Sequence, residues 1–303
     1  MDGERTLTFY LEEEMRLRAE AGRINVINRM EAAFASVGIT CLFRGNSDAE
    51  LLSSVADPGY AMFFMEDPFH ERALTMRLAY HYPFWRIEKT ARRWEGSVAR
   101  ADFRPEEVDG EAARRFAAFW RRRLYGERPA GDEGFIYVPL QGRLLKHRSF
   151  QAMSPMDMLS QVIRFEPYRK VIATLHPKEN YTPAELQALE DLSRRFSNLE
   201  VTRGDPGDLA RDCHYIVTQN SGAALAGVFF GKPAVLFGRI DFHHICANVP
   251  DLGVAEAFRM VRNLRPDYDR YLFWFLQEMS INAGREEAEE KILATVRARG
   301  WRV

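Results

Sequence analysis

Cysteine is scarce in this chain: only Cys41, Cys213 and Cys246 occur, far apart and never in a C-x-x-C pair. Such usage argues against a disulfide framework and favours the reducing cytoplasm. An excess of charge is missing as well, because the formal net charge is -1 at pH 7. General nucleic-acid binders usually carry a basic excess, so the composition argues against that class.

Long apolar runs are also missing. The longest candidate, 223–230, ends at Gly231-Lys232-Pro233, well short of the roughly 18–20 residues that span a bilayer. The opening sequence MDGERTLTFYLEEEM lacks the basic start and apolar core of a signal peptide. We therefore expect a soluble protein that stays inside the cell.

What the chain does have is size and an ordinary globular composition. Its 303 residues are 46% hydrophobic and 28% charged, which suffices for two domains that each bury a core. The stretch densest in glycine, proline and charge is Gly126–Gly134, which we interpret as the linker between the domains. The predicted boundaries are 1–128, 129–265 and a C-terminal part at 266–303.

Strand and helix patterns alternate through both halves, which predicts βαβ units and parallel sheets with right-handed crossovers. Before the linker we predict strands at Thr6–Tyr10, Ile39–Phe43 and Tyr60–Met65, and a helix at Ile24–Val37. After it we predict strands at Phe135–Leu140, Val171–Leu175, Leu199–Thr202, Tyr215–Thr218 and Ala234–Phe237, and helices at Met156–Phe165, Pro183–Phe196 and Ala223–Phe230. Thr182 is placed to cap a helix that begins at Pro183. The tail, Pro266–Val303, reads as helical throughout.

Two of these strands end abruptly in polar residues, at His176-Pro177 and at Gln219-Asn220-Ser221-Gly222. Ligands of parallel α/β sheets bind at the carboxyl ends of strands. His176, held extended by the proline after it, could donate a hydrogen bond to a phosphate oxygen or carry positive charge against it. The alternative is a histidine that a backbone carbonyl satisfies, and a QNSG turn that only caps a helix. Both features at adjacent sheet positions favour a phosphate site.

Four stretches of the second half resemble a known family: VPLQ at 138–141, SFQAMSPMDML at 149–159, LHP at 175–177 and TQNSGAALAGVFFGKPAVLFG at 218–238. They are similar to the capsule polysaccharide biosynthesis glycosyltransferases, GT-B enzymes with two Rossmann domains, several of which transfer Kdo from CMP-Kdo. The similarity covers about a third of the chain. Thr174 and Leu175 stand where the family often has a basic residue before His-Pro, and Lys178 follows the pair instead.

The His-Pro pair with a later serine-containing turn also resembles the CMP-sialic-acid transferases. The resemblance implies phosphate contact for His176, which we take as a catalytic residue, and nucleotide contact for Asn220 and Ser221. We expect the nucleotide and its phosphate to be held by one group of residues: Pro177, Lys178, Gln219, Asn220, Ser221, Gly222 and Gln141.

A general base for sugar transfer is expected in the first domain, since a carboxylate or a histidine must take the acceptor proton. The strand at Tyr60–Met65 ends in Glu66 and Asp67, which are the candidate catalytic acids. Asp67-Pro68 also has the form of an N-cap with a first-turn proline, and Glu88 competes with Glu66.

Aromatic and basic residues alternate in YHYPFWRIEKTARRW at 80–94, which predicts contact with an acidic acceptor glycan. The candidate acceptor-binding residues are Tyr82, Trp85, Arg86 and Glu88. An interdomain core with a solvated basic face is the equal alternative.

Two further segments carry unusual residues. The basic amphipathic pattern of Glu111–Leu124 predicts a core-facing helix and leaves weak contact with anionic lipid open. Asp241, His243, His244 and Cys246 have metal-ligand chemistry, but their spacing fits no standard zinc site. We expect no metal there, and His243 or His244 to line the nucleotide pocket.

The sequence thus predicts an α/β fold of two Rossmann-like domains facing a cleft (GT-B-like), with a C-terminal helical tail packed back across them. The domain at 1–128 would be the acceptor side, and the domain at 129–265 would bind the nucleotide sugar. The predicted function is transfer of a sugar, such as Kdo or another acidic sugar, from a CMP-sugar to a surface or capsular polysaccharide, inverting and without a metal or other cofactor.

Three alternatives stay open: a UDP- or GDP-sugar transferase, an epimerase on the same fold, and a non-catalytic glycan-binding component of polysaccharide export. The expected partners are a nucleotide sugar and a glycan acceptor, with the export machinery also open and no nucleic acid. Cytoplasmic localisation is expected, with peripheral contact at the inner membrane left open.

Overall fold

The computed structural model describes residues 5–303, and its chain forms two compact units. The first unit holds the described residues up to Ala101 together with Phe275–Val303, and the second holds Asp102–Trp274. These units do not coincide with the predicted boundaries at 128 and 265. The predicted linker at Gly126–Gly134 is irregular backbone, but it lies inside the second unit.

The first unit is built on a six-stranded sheet in the order β2-β1-β3-β4-β5-β12. Its strands are β1 Arg5–Leu11, β2 Ile39–Gly45, β3 Tyr60–Phe64, β4 Ala73–Leu78, β5 Phe84–Glu88 and β12 Ile281–Asn282. The first four are parallel, whereas β5 and β12 pair antiparallel. The direction of chain progression reverses between β1 and β3, so this is the switch point of the sheet.

The side chains of β1 alternate between the two faces of the sheet, and one of these faces carries the main core. Leu7, Phe9 and Leu11 are fully buried on one face, and Tyr10 lies in a smaller cluster on the other. The helices of this unit are α1 Glu13–Glu20, α2 Asn25–Ala35, α3 Asp48–Ser53, α4 Ser97–Arg100 and α13 Ala288–Ala298.

The second unit contains a six-stranded sheet in the order β8-β7-β6-β9-β10-β11, parallel throughout. Its strands are β6 Ile136–Pro139, β7 Val171–Thr174, β8 Leu199–Thr202, β9 Tyr215–Thr218, β10 Ala234–Leu236 and β11 Ala247–Asn248. The inner strands are short and entirely buried, as in a parallel sheet covered on both faces. The strand order is that of a Rossmann fold, with its switch point between β6 and β9.

Six of the eight helices of the second unit begin at a residue whose side chain caps them. The eight helices are α5 Gly110–Tyr125, α6 Pro155–Phe165, α7 Pro183–Arg195, α8 Pro206–Asp212, α9 Gly222–Val228, α10 Val249–Leu252, α11 Val254–Val261 and α12 Tyr268–Leu272. Thr182 caps α7 and forms a capping box with Glu185, as predicted. Short 3-10 turns lie at Arg93–Glu95, Pro105–Glu107 and His243–Ile245, and a π-helix spans Phe273–Glu278.

The predicted strands and helices before residue 240 are all present, within a residue or two of their predicted ends. The helical tail is the main error, because β12 interrupts it and extends the first sheet beside β5. The tail also supplies core to that sheet, through the buried Ile292, Val296 and Trp301. Strands β4 and β5 were not predicted.

Helix α5 is core-facing, as predicted: its Ala113, Phe116, Ala117 and Trp120 are buried. Its arginines stay exposed, and lipid contact by that face stays a prediction. Within residues 5–303 there is no helix with the length and apolarity that a membrane crossing requires.

Candidate functional site

The predicted ligand residues of the second unit gather at the carboxyl edge of its sheet. His176 follows β7, Gln141 follows β6, and the turn that begins at Gln219 follows β9. The strand order places β6 between β7 and β9, so the two motif strands are not adjacent as predicted. Gln141 occupies the tip between them, directly at the switch point where ligands of this fold bind.

His176 is exposed and held by its own loop. Its backbone N–H donates to the hydroxyl of Tyr181 at 2.8 Å, and its Nδ1 accepts the N–H of Lys178 at 3.2 Å. An Nδ1 that accepts cannot carry the proton of a neutral imidazole, so that proton lies on Nε2. The ring therefore presents an N–H donor, whereas the alternative interpretation had a carbonyl satisfying it. Pro177 and Lys178 are exposed in the same turn.

The Gln219–Gly222 turn is partly a capping turn, as the alternative interpretation proposed. Ser221 Oγ accepts the N–H of Ala223 at 3.2 Å and caps α9. The Asn220 side chain donates to the carbonyl of Arg239 at 3.4 Å and so ties the ends of β9 and β10 together. Gly222 is exposed at the start of α9.

Three glutamines at this edge keep a buried polar atom without a hydrogen-bond partner: Oε1 of Gln141, Nε2 of Gln151 and Oε1 of Gln219. The other amide atom of Gln219 donates to the Met153 carbonyl at 3.1 Å, and that of Gln151 accepts the Arg148 N–H at 2.7 Å. Buried polar atoms are rarely unpaired in native proteins, and a bound ligand is one reason for them. These amides can donate to or accept from the polar groups of a nucleotide.

Gln151 was missed as a site residue, although it lies in the segment 149–159 on which the family resemblance partly rests. It pairs with Gly238 in an isolated antiparallel bridge, and the N–H of Ala152 donates to the Phe237 carbonyl at 2.7 Å. The loop after β6 is thereby fastened to the end of β10. No local sequence pattern predicts the pairing of Gln151 with Gly238.

Backbone strain marks the switch-point strands of both sheets. Arg143, two residues after Gln141, has φ 61, and Met65, directly before Glu66, has φ 63. Non-glycine residues in the left-handed region are uncommon, and such strain concentrates at functional sites. Arg143 also adds a cation to the carboxyl edge of the second sheet.

The two acids of the first unit differ in their surroundings. Glu66 is exposed, and none of the described residues hydrogen-bonds to its carboxylate. Asp67 is engaged: its Oδ1 accepts from the Ala91 N–H at 2.6 Å and the Thr90 hydroxyl at 2.9 Å. No helix follows Pro68, so the N-cap interpretation of Asp67 is wrong.

Three of the four candidate acceptor residues are buried in β5. Arg86 donates to the Ser280 hydroxyl at 3.2 Å and the Phe275 carbonyl at 3.1 Å, and it stacks on the Phe275 ring. Glu88 accepts the Ser97 N–H at 3.1 Å and lies 3.4 Å from Arg299 Nε. Trp85 is also buried, at 7% exposure. These three side chains therefore stabilise the interior of the first unit and do not form an acceptor surface. Tyr82, at 56% exposure, stays a candidate.

The histidine pair after β10 lies at the same carboxyl edge as Gln219. His243 Nδ1 bonds the Ile240 carbonyl at 2.9 Å, and His244 Nδ1 lies 3.0 Å from the Tyr271 hydroxyl. The two rings stack with centroids 4.2 Å apart. In the described part of the chain no three His, Cys, Asp or Glu side chains are grouped to hold a metal ion.

No protein-family model matches this chain, and no curated protein matches it either. Solved structures do. The beta Kdo 2,7 transferase of Thermosulfurimonas dismutans KpsC matches with a TM-score of 0.55 at 15% identity, covering 96% of this chain and 99% of that one. The beta Kdo 2,4 transferase of the same KpsC matches with a TM-score of 0.46 at 10% identity, covering 87% and 88%.

The UDP-GlcNAc 2-epimerase of Methanocaldococcus jannaschii matches with a TM-score of 0.39 at 8% identity, covering 98% of this chain and 100% of that one. At such identities a likeness shows a shared fold and nothing finer. The likeness to the first KpsC structure confirms the predicted class, a mixed α/β chain of GT-B-like architecture.

Proposed function

We propose that this chain is an inverting glycosyltransferase that moves an acidic sugar of the Kdo type from a CMP-sugar to a surface polysaccharide. The proposal rests on one observation above all. At the carboxyl edge of a Rossmann-type sheet, His176 presents an Nε2–H donor after β7, the neighbour of the switch-point strand β6 that leads to Gln141. A donor at that place suits the phosphate of a departing nucleotide.

The departing CMP carries one phosphate group, and the negative charge on that group grows as its bond to the sugar breaks. The Nε2–H of His176 would donate to a phosphate oxygen, while its Nδ1 accepts the Lys178 N–H. The exposed ammonium of Lys178 would add a cation in the same turn. Donors aimed at developing charge are usually the largest single contribution to catalysis.

The unpartnered amide atoms of Gln141, Gln151 and Gln219 would bind the polar groups of the nucleoside. Gln141 and Gln219 follow β6 and β9 on the two sides of the switch point, and Gln151 is bridged to Gly238 beyond the end of β10. Asn220 and Ser221 would then position the site's backbone. The Asn220 side chain links the ends of β9 and β10, and the Ser221 side chain caps α9.

Glu66 is the proposed general base. Its carboxylate is exposed and without a hydrogen-bond partner in the described chain, at the carboxyl end of β3 and beside the switch point of the first sheet. It would take the proton of the acceptor hydroxyl as that oxygen attacks the anomeric carbon, with CMP leaving from the opposite face. Asp67 would position the 90–91 loop beside it.

The donor assignment is tested by thermal unfolding with CMP, UDP and GDP at matched concentrations. A ligand present at 100 times its Kd stabilises the folded state by about 2.7 kcal/mol. We expect CMP to raise the Tm and the other two to leave it unchanged. Stabilisation by UDP or GDP alone would overturn the CMP assignment.

The catalytic assignment is tested by transfer from CMP-Kdo with paired lysine variants at the two ends of β7. Lys178→Ala removes a cation from the carboxyl edge, and Lys170→Ala removes an exposed cation at the amino edge, where it pairs with Glu200. We expect the first to lower kcat by about tenfold, as a lost charge-assisted hydrogen bond does, and the second to have no effect. If Lys178→Ala had the same kcat as Lys170→Ala, Lys178 would have no specific role in the mechanism.

A further inference from the structure

A cavity of about 550 Å³ lies at the opposite, amino-terminal edge of the second sheet. The turn before β7 and the start of β9 form its walls, together with the end of α11. Its size is in the range of small-ligand sites. The side chains that carry the argument are Arg164, Glu166, Tyr168, Arg169, Tyr215 and Arg262.

The cavity is built around one buried carboxylate. Glu166 is 6% exposed, and it accepts the Tyr215 hydroxyl at 2.9 Å and Arg262 at 3.1 Å. Arg169 Nε lies 3.4 Å from its other oxygen. Burial raises the pKa of the Tyr215 hydroxyl, so it stays a donor at neutral pH. Both guanidinium groups are thereby paired with Glu166 at the wall of the cavity.

Positive charge at the cavity exceeds what Glu166 neutralises. Arg164 is exposed, stacks loosely on the neighbouring Phe165 ring, and makes no ion pair among the described residues. Three arginines therefore face a single carboxylate. Beside them, Tyr168 is 99% exposed and offers a bare aromatic face.

We propose that this cavity binds an acidic saccharide, as a second glycan site apart from the donor site. The arginines would bind sugar carboxylates through charge-assisted hydrogen bonds, and Tyr168 would stack on a sugar ring. The choice of a glycan as ligand rests on the proposed transferase function, whereas the excess of cationic donors does not. The cavity and His176 lie at opposite ends of β7, so both can be occupied at once.

The test is calorimetric titration of the full chain with a tetramer of α-2,8-linked sialic acid at low salt. Maltotetraose is the neutral saccharide control, and inorganic phosphate is the free-anion control. Arg164→Ala and Tyr168→Ala remove exposed side chains that make no hydrogen bond or ion pair with the described residues. The matched control is Arg195→Ala, since Arg195 is also exposed and stacks on the phenylalanine after it.

We expect Arg164→Ala and Tyr168→Ala each to weaken binding of the sialic acid tetramer by about tenfold, with Arg195→Ala unchanged. Added salt should weaken binding further, because exposed charges are screened. The proposal is overturned if the two variants bind as the wild type does, if maltotetraose binds equally well, or if phosphate displaces the tetramer at equal concentration. His176→Ala should retain this binding, so failure of the transfer activity and failure of this site are separate results.

Discussion

The orientation of the His176 ring depends on the hydrogen bond between the Lys178 N–H and Nδ1. That bond fixes the tautomer in which Nε2 carries the donor proton. A backbone N–H thus orients the ring, where other enzymes use a carboxylate that accepts from the second ring nitrogen. The histidine would thus act as a hydrogen-bond donor and not as a proton carrier, since the departing phosphate is a weak base.

Replacing His176 with glutamine in one variant and with asparagine in another tests whether the donor is Nε2. A glutamine can place its amide N–H near the position of Nε2, whereas an asparagine reaches only to the position of Nδ1. We expect His176→Gln to retain about a tenth of the transfer rate, because its amide N–H is a less well placed donor. We expect His176→Asn to retain about a hundredth, because it loses the hydrogen bond to the charged phosphate altogether. Initial rates at saturating CMP-Kdo measure this, and equal rates for the two variants would contradict the assignment of Nε2.

His81 should make the folded state sensitive to acid. Burial lowers the pKa of His81 from 6.5 to about 4. Below pH 6.5 the unfolded chain takes up a proton that the folded imidazole refuses until the pH nears 4, so the free energy of unfolding falls over that window. At pH 5 the loss is about 2 kcal/mol relative to pH 7.

Urea unfolding of wild type and His81→Gln at both pH values checks this. We expect the wild type to lose more stability between pH 7 and pH 5, since the glutamine does not titrate. Parallel losses in the two proteins would show that His81 is protonated equally in the folded and unfolded states.

At the scale of elements, the loop from β7 to α7 connects the candidate site to a well-fixed helix. Tyr181 accepts the His176 N–H one residue before the Thr182 cap. Tyr181→Phe removes this bond, worth about 1 kcal/mol, and leaves the capping box in place. We expect transfer to fall by about fivefold through kcat at a nearly unchanged Tm, measured by steady-state kinetics and thermal unfolding. A large fall in Tm would instead give Tyr181 a role in stability.

The sequence sufficed to locate five of the six strands of the second sheet, all but β11, because short apolar runs that stop at polar residues are a local signal. The order of these strands is not local. It depends on crossovers, so the position of β6 between the two motif strands and the role of Gln141 at the switch point became visible only in the fold. Gln151 is similar, since its partner Gly238 lies far along the chain.

Strand β5 shows why the candidate acceptor surface was misplaced. Its sequence, FWRIE, carries aromatic and charged residues typical of an exposed binding strip, yet all five residues are buried. The guanidinium of Arg86 is satisfied by Ser280, 194 residues away in the chain. No window of sequence contains both partners, and the tail was predicted to be helical where β12 pairs with β5.

For the whole molecule, the division into units has a consequence for folding. The second unit is one continuous segment, Asp102–Trp274, with its own sheet and core. The first unit is discontinuous, because its sheet needs β12 and its core needs Ile292, Val296 and Trp301 from the tail. Burying each such side chain contributes about 1.5–3 kcal/mol, and together they approach the 5–15 kcal/mol that keeps a typical domain folded.

We therefore expect a fragment of residues 102–274 to fold alone, with a dispersed amide spectrum and cooperative urea unfolding, and to retain CMP binding. A fragment of residues 1–101 should stay largely unfolded until a second peptide, residues 275–303, is added, because only then can β5 pair with β12 and the core close over α2 and β1. Circular dichroism of the fragments, separate and mixed, checks both expectations. The matched control for the peptide carries Ile292→Asp and Val296→Asp, which place charge in the core and should abolish the gain in structure. If residues 1–101 folded without the peptide, the tail would be dispensable to that core, and its buried side chains would contribute less than their area implies.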